Sequence, residues 1–177
     1  MAGVLLKNSI KLTAPEKADI IIVNTCAFIK EAREESLDGI RAACDFKKSG
    51  SCRAVLVAGC MAQRYKDELR NSLPEVDAFI GLNELNSVAK IVSQLASGRH
   101  GILKISNNAD RLFEPVIPGL SLTGAPYAYL KIAEGCNHHC AFCAIPAIRG
   151  RHRSRRVDAI VKEAEHLLAN GVKELNI

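Results

Sequence analysis

Between residues 20 and 97, short apolar runs alternate with longer stretches of helical periodicity. Ile20–Val23 is a β-branched run that ends in Asn24-Thr25-Cys26. Leu37, Ile40 and Cys44 then recur at i, i+3 and i+7, the spacing of one helix face. Ser49-Gly50-Ser51 interrupts this pattern, and Ala54–Ala58 predicts a second, buried strand ending at Gly59-Cys60. Met61, Tyr65 and Leu69 mark a helix that stops before Pro74. Ala78–Ile80 predicts a third strand, and Leu85, Val88, Val92 and Leu95 a third helix closed by Gly98. Strands alternating with helices of this length imply a parallel sheet with crossover helices.

Periodicity fails over 99–126. Pro115, Pro118, Gly119, Gly124 and Pro126 break every pattern there, so the stretch reads as a linker with one short strand at Gly101–Ile105. Order resumes with a strand over Ala128–Ala133 that runs into Glu134-Gly135-Cys136. Val157, Ile160, Val161, Ala164, Leu167 and Leu168 form a helical stripe, and Gly171 sits where a C-terminal cap belongs. Glu174–Ile177 begins another strand. The predicted class is α/β: a parallel-sheet domain over 1–98, a linker over 99–126, and over 127–177 one βα unit with the start of the next strand.

Composition narrows this little. The 48% apolar and 24% charged residues suit a globular protein. No apolar run reaches the roughly 18–20 residues of a membrane span. The first residues, MAGVLLKNSIKL, lack the charged region and long apolar stretch of a secretory signal. A cytoplasmic protein without a membrane partner is expected. The net charge of +5 hints at an anionic partner without demanding one.

Cysteine changes the picture. There are seven, an odd number in a chain without an export signal, which argues against a disulfide framework. Cys136, Cys140 and Cys143 fall within eight residues. Soft sulfur ligands select zinc or iron–sulfur clusters. Structural zinc takes four ligands, usually from C-x2-C pairs. Here the spacing is C-x3-C-x2-C with no fourth cysteine nearby, so a zinc ion would need His138, His139 or His152. A 4Fe–4S cluster on three thiolates keeps one iron open, which suits catalysis. The motif also follows a strand and precedes a helix, the active-site end of a βα barrel.

Other residues are less decisive. Cys26 and Cys60 end successive parallel strands, on the edge where such sheets bind ligands. They read either as a shared metal site or as two small buried residues. Cys44 and Cys52 read as structural. Arg149–Arg156 holds five arginines in eight residues, either an anion-attracting loop or braces for nearby carboxylates.

The C-x3-C-x2-C motif with Phe142 directly before its last cysteine resembles the radical S-adenosylmethionine (SAM) superfamily. Tyr129-Leu-Lys-Ile-Ala-Glu-Gly-Cys-Asn137, then Phe142-Cys-Ala-Ile-Pro146 and Arg149-Gly-Arg151, narrow the resemblance to the methylthiotransferases. It implies a flavodoxin-like N-terminal domain followed by the first βα unit of a partial TIM barrel. It implies a SAM-binding 4Fe–4S cluster on Cys136, Cys140 and Cys143, with Phe142 near the adenine. It also implies an auxiliary 4Fe–4S cluster with Cys26 and Cys60 as second and third ligands, the first lying upstream. The family chemistry moves a methylthio group to an unactivated C–H position. One SAM supplies the methyl group and a second the radical, and a reductant protein and a sulfur source serve as partners. The wording Ala128–Cys136 is most similar to the branch that modifies an aspartate β-carbon of small-subunit ribosomal protein number twelve. A tRNA-adenosine methylthiotransferase is the alternative within the family. A non-catalytic iron–sulfur or zinc module is the alternative outside it. On this resemblance the chain is expected to be truncated at both ends and inactive alone.

Overall fold

A computed structural model describes residues 1–112 and 126–177. Pro115, Pro118, Gly119 and Gly124 of the expected linker lie outside the described residues. The first unit runs α1 (Ala2–Lys7), β1 (Ile20–Thr25), α2 (Lys30–Lys48), β2 (Ala54–Gly59), α3 (Cys60–Ser72), β3 (Ala78–Ile80), α4 (Val88–Ala96) and β4 (Ile102–Lys104). The second runs β5 (Tyr127–Tyr129), β6 (Ala133–Glu134), α5 (Ile145–Arg149), β7 (Arg153–Ser154), α6 (Val157–Ala169) and β8 (Glu174–Asn176).

Strand β2 organises the first unit. All six of its residues are buried, which demands cover on both faces, as in parallel sheets generally. Its side chains alternate accordingly. Val55 and Val57 pack with α2 and α3 through Ile40, Ala43, Met61 and Leu69. Ala54, Leu56 and Ala58 pack with α1 and α4 through Val4, Leu5, Ile91 and Leu95. The four strands are all parallel, in the order β1-β2-β3-β4. This is the doubly covered sheet of a flavodoxin-like domain. The strand expected at Gly101–Ile105 forms at Ile102–Lys104 and completes that sheet.

Several boundaries shift for physical reasons. Leu85 falls in a 3₁₀ turn over Leu82–Ser87, so α4 begins only at Val88. Helix α3 is kinked at Tyr65, whose φ of −120° and ψ of 30° are not helical. The single strand expected over Ala128–Ala133 divides in two. Its first part, β5, pairs in parallel with β8. Its second part, β6, pairs antiparallel with β7. The two pairings draw on different partners, so the chain turns between them. Parallel β5 and β8 joined through α6 form a βαβ unit, as the sequence led us to expect.

Opposite edges of the sheet carry different chemistry. At the edge where β2 and β3 begin, Asp77 is buried and takes the Nζ of Lys47 at 2.7 Å, the Nδ1 of His100 at 2.8 Å and the backbone N–H of Val55 at 2.8 Å. The cysteines of interest lie at the other edge.

Candidate functional site

Register brings two of those cysteines to one place. Thr25 is the partner of Gly59 across β1 and β2, so the next residues, Cys26 and Cys60, leave the sheet at the same edge. The Thr25 hydroxyl fastens this corner. It donates to the Ala58 carbonyl at 2.7 Å and accepts the Met61 N–H at 3.2 Å. Gly59 has φ +103°, and a Cβ there would stand 2.8 Å from the Thr25 carbonyl, so only glycine makes this turn without strain. Beyond β1, the Cys26 N–H donates to the Ser36 hydroxyl at 3.0 Å, and Arg64 donates to the Ala27 carbonyl at 3.0 Å. Cys26 is exposed and Cys60 buried.

The second cysteine set is built the same way. Gly135, with φ +77°, precedes Cys136 and lies so close to the Arg151 backbone that a Cβ would collide with it. The β6–β7 pair closes the loop at its base. Above that, the Cys136 N–H donates to the Gly150 carbonyl at 3.1 Å, and the His152 N–H to Asn137 Oδ1 at 3.0 Å. Within the loop the His138 N–H points at Cys136 Sγ, 3.4 Å away, and the Cys143 N–H donates to the Cys140 carbonyl at 3.1 Å. Cys140 is exposed, Cys136 and Cys143 are half-buried, and all three are free thiols. Phe142 is 91% exposed, an unusual position for an aromatic ring. His138, His139 and His152 are exposed on the loop and its return.

No three His, Cys, Asp or Glu side chains among the described residues gather tightly enough to hold one metal ion. A 4Fe–4S cluster makes a different demand, because each thiolate binds its own iron and the ligands stand apart. Three free thiols on one accessible loop, one already accepting a backbone N–H, fit that demand. Cys44 and Cys52 do not share in it. Cys52 precedes β2 and Cys44 lies near the C-terminal end of α2, while Cys60 follows β2. Six strand residues at about 3.3 Å each put roughly 20 Å between the two ends. Burial pushes both thiols above their ordinary value, Cys44 with help from Glu75 and Cys52 from Asp77, as expected of inert thiols.

The arginine-rich segment is largely internal bracing. Glu134 is buried beside an ion pair with Lys131, with Arg149 Nη1 at 3.8 Å and Arg153 Nη2 at 4.0 Å. Arg155, also buried, donates to Glu163 and to the Lys131 carbonyl, both at 2.6 Å. Arg156 pairs with Asp158 in solvent, a hydrogen bond that lowers the Asp158 carboxyl below its usual range. Between residues 127 and 157 Glu134 is the one acid among six Lys and Arg, a signal that the sequence held and that periodicity could not use.

The two cysteine regions touch. Ile148 of α5 is 1% exposed and belongs to the core formed by α2, α3 and β2, with Ala144 packed against it. The next residue, Arg149, donates from Nη2 to Cys60 Sγ at 3.3 Å. Neither contact was visible in the sequence pattern, since α5 is five residues long and carries no periodicity to read.

Comparison with known proteins gives this arrangement its context. Residues 1–81 match the uncharacterized protein family UPF0004, and residues 130–177 match the radical SAM superfamily. The ribosomal protein uS12 methylthiotransferase RimO of Pelobacter propionicus is 46% identical over all of this chain, which covers 39% of that relative. The enzyme of the same name from Trichlorobacter lovleyi is 47% identical over 99% of the chain, again 39% of the relative. That from Geobacter sulfurreducens is 43% identical over the whole chain, 40% of the relative. The chain thus spans about two fifths of the length of these relatives. With a UPF0004 region, a radical SAM region and relatives of this kind along its whole length, the chain is similar throughout to radical SAM methylthiotransferases.

Proposed function

We propose that the protein is a radical SAM methylthiotransferase that places a methylthio group on an aspartate of ribosomal protein uS12. The observation that carries this reading is the trio of free, accessible thiols on a loop fixed at its base by β6 and β7. Cys136, Cys140 and Cys143 would hold a 4Fe–4S cluster with one iron left for SAM. When bound, that cluster supplies the electron for reductive cleavage of SAM. The exposed Phe142 ring would cover the adenine, and the His138 N–H would hold the Cys136 sulfur in its ligating direction. Cys26 and Cys60 would be two of the three ligands of a second 4Fe–4S cluster, whose first ligand has no counterpart among the seven cysteines of this sequence. Support for the substrate comes from the uS12 methylthiotransferases that are 43–47% identical to the chain. A reductant protein and a sulfur source complete the reaction, and a ribosomal substrate puts it in the cytoplasm. No helix among the described residues is long and apolar enough to cross a membrane.

Anaerobic reconstitution with iron and sulfide tests the cluster. The expected result is a coloured protein whose reduced-state electron paramagnetic resonance spectrum changes on addition of SAM, and Cys140→Ser abolishes that change. A colourless protein loaded with zinc and indifferent to SAM overturns the reading. Methylthio incorporation into a tRNA adenosine, with uS12 unmodified, would overturn the substrate alone.

A further inference from the structure

Strands β3 and β4 end at the same edge of the sheet as the strands that lead to Cys26 and Cys60. The chain that leaves β4 there is tied to the chain that leaves β3. Asn83, in the turn after β3, is buried and makes four hydrogen bonds to residues 108–111. Its Nδ2 donates to the Asn108 carbonyl and to Asp110 Oδ1, both at 2.7 Å. Its Oδ1 accepts the N–H groups of Asp110 and Arg111, both at 3.1 Å. An asparagine amide offers two N–H donors and two lone pairs, and all are used here. Further back, Gln63 donates to the Ser106 carbonyl at 2.8 Å and the Ser106 hydroxyl to Glu84 at 2.5 Å. Residues 106–111 are thus a strap fastened to the first unit at both ends.

The middle of the strap bears on the second unit. Ala109 is buried, and its carbonyl oxygen lies where a Cβ on Gly150 would stand only 2.5 Å away. The Gly150 carbonyl oxygen in turn lies 2.6 Å from where a Cβ on Gly135 would be, and it accepts the Cys136 N–H at 3.1 Å. Three stretches of backbone, at 109, 150 and 135–136, therefore stack in direct contact. Only glycine at 150 and 135 allows so close an approach, and both have positive φ besides. Close-packed contacts of this kind transmit displacement, and bare backbone has no rotamer with which to absorb it.

We infer that residues 106–111 are the seat of the loop of Cys136, Cys140 and Cys143, and that Asn83 is the positioning residue that holds this seat in place. Ile148, two residues before Gly150, is sunk in the core of the first unit. Gly150 is thus held by a side-chain anchor just before it and by the strap against it. Three side chains that must converge on one ligand gain from such a seat, because the cost of ordering them is met in folding rather than on binding. The bearing of Asn83 on catalysis rests on the proposed role of the three cysteines. The seat itself requires no iron.

The test reads amide hydrogen exchange along the whole chain, without iron. Asn83→Asp replaces the donor that faces the Asp110 carboxylate by a second carboxylate. Exchange at Asp110 and Arg111 is expected to quicken about tenfold or more, as for buried hydrogen bonds that are lost. Exchange at Cys136 is expected to quicken with it, while the amides of β2 keep their protection. Asn83→Asp combined with Asp110→Asn restores a donor facing an acceptor, and it is expected to bring the strap and Cys136 back toward the parent's rates. Faster exchange at 110 and 111 with Cys136 unchanged overturns the inference, because the strap would then be a local feature. Unchanged exchange at 110 and 111, or a double variant as fast as the single one, overturns it as well. If Asn83→Asp strips protection from β2 too, Ser106→Ala releases one end of the strap alone and is read in the same way. Failure of the loop to take a cluster on reconstitution would sink the proposed function and leave this result as it is.

Discussion

The two halves of the described chain hold themselves together by different means. In residues 1–112 a four-stranded sheet is covered on both faces, and its buried side chains form two extensive clusters. In residues 126–177 the independent core is Leu130, Leu167 and Val172. Helix α6 leaves Val157, Val161 and Leu168 in solvent. What orders the second half is mainly polar: the Glu134 cage, the Arg155–Glu163 pair and the β6–β7 bracket. Its firmest apolar anchor, Ile148, is sunk in the other half's core. The lesson is that a cysteine loop can be held rigid without a core of its own, provided that it is cross-braced and docked on a neighbour that has one.

The comparison can be broken most severely in the sheet. Ile80→Ala empties a fully buried site on β3 and should cost about 2–5 kcal/mol, read as a fall in the denaturant midpoint. Leu167→Ala removes a similar side chain from the three-residue core and should cost less, because its open surroundings relax into the space. Equal losses at the two positions would show that the second half has a core of the same quality. Asp77→Ala strips partners from Lys47, His100 and the Val55 N–H at once. The expected loss is about 3 kcal/mol, that of a broken buried ion pair, measured by thermal or chemical unfolding.

Ile148→Ala sharpens the question of docking. A loss of about 2 kcal/mol or more is expected from the vacated space. The sharper readout is hydrogen exchange. Amides of Cys136 and Cys143 should lose protection while those of β2 keep it. Unchanged exchange at Cys136 would mean that the loop does not depend on this contact.

Smaller effects follow from the buried thiols and the open helix face. The thiols of Cys44 and Cys52 are raised above 9.0 by burial. The folded chain therefore holds these protons more tightly than the unfolded one. Their contribution to stability is complete below pH 9 and is lost as pH rises through the folded values. Unfolding at pH 8 and pH 10.5 should show this decline, and Cys44→Ala with Cys52→Ala should flatten it. At the low end, Val161→Ser on exposed α6 should alter stability by no more than about 0.5 kcal/mol.

The apolar pattern made most of the first unit legible. Every residue of β2 is buried, so its run reads directly as a strand, and the helices that cover it show their own 3.6-residue period. The C-x3-C-x2-C spacing was equally plain, because three thiols within eight residues form a local pattern. Helix α5 was not legible. It is short, it opens on Ile145-Pro146, and its one buried residue faces a core built by residues about ninety positions away. The division of β5 from β6 was hidden for a related reason. Whether Ala128–Ala133 is one strand or two depends on partners at 153–154 and 174–176, which local periodicity does not identify.

Sequence alone determined the local elements, the class of fold and the clustering of Cys136, Cys140 and Cys143 on one loop. Each of these depends on residues close together along the chain, where spacing is geometry. Tertiary structure alone decided the register that pairs Thr25 with Gly59 just before Cys26 and Cys60, that Cys44 lies with Cys52 toward the opposite edge, and that Arg149 joins Cys60 to the neighbourhood of Cys136. Those relations depend on strand register and on a packed interface between distant segments, and such long-range contacts leave no period behind them in the sequence.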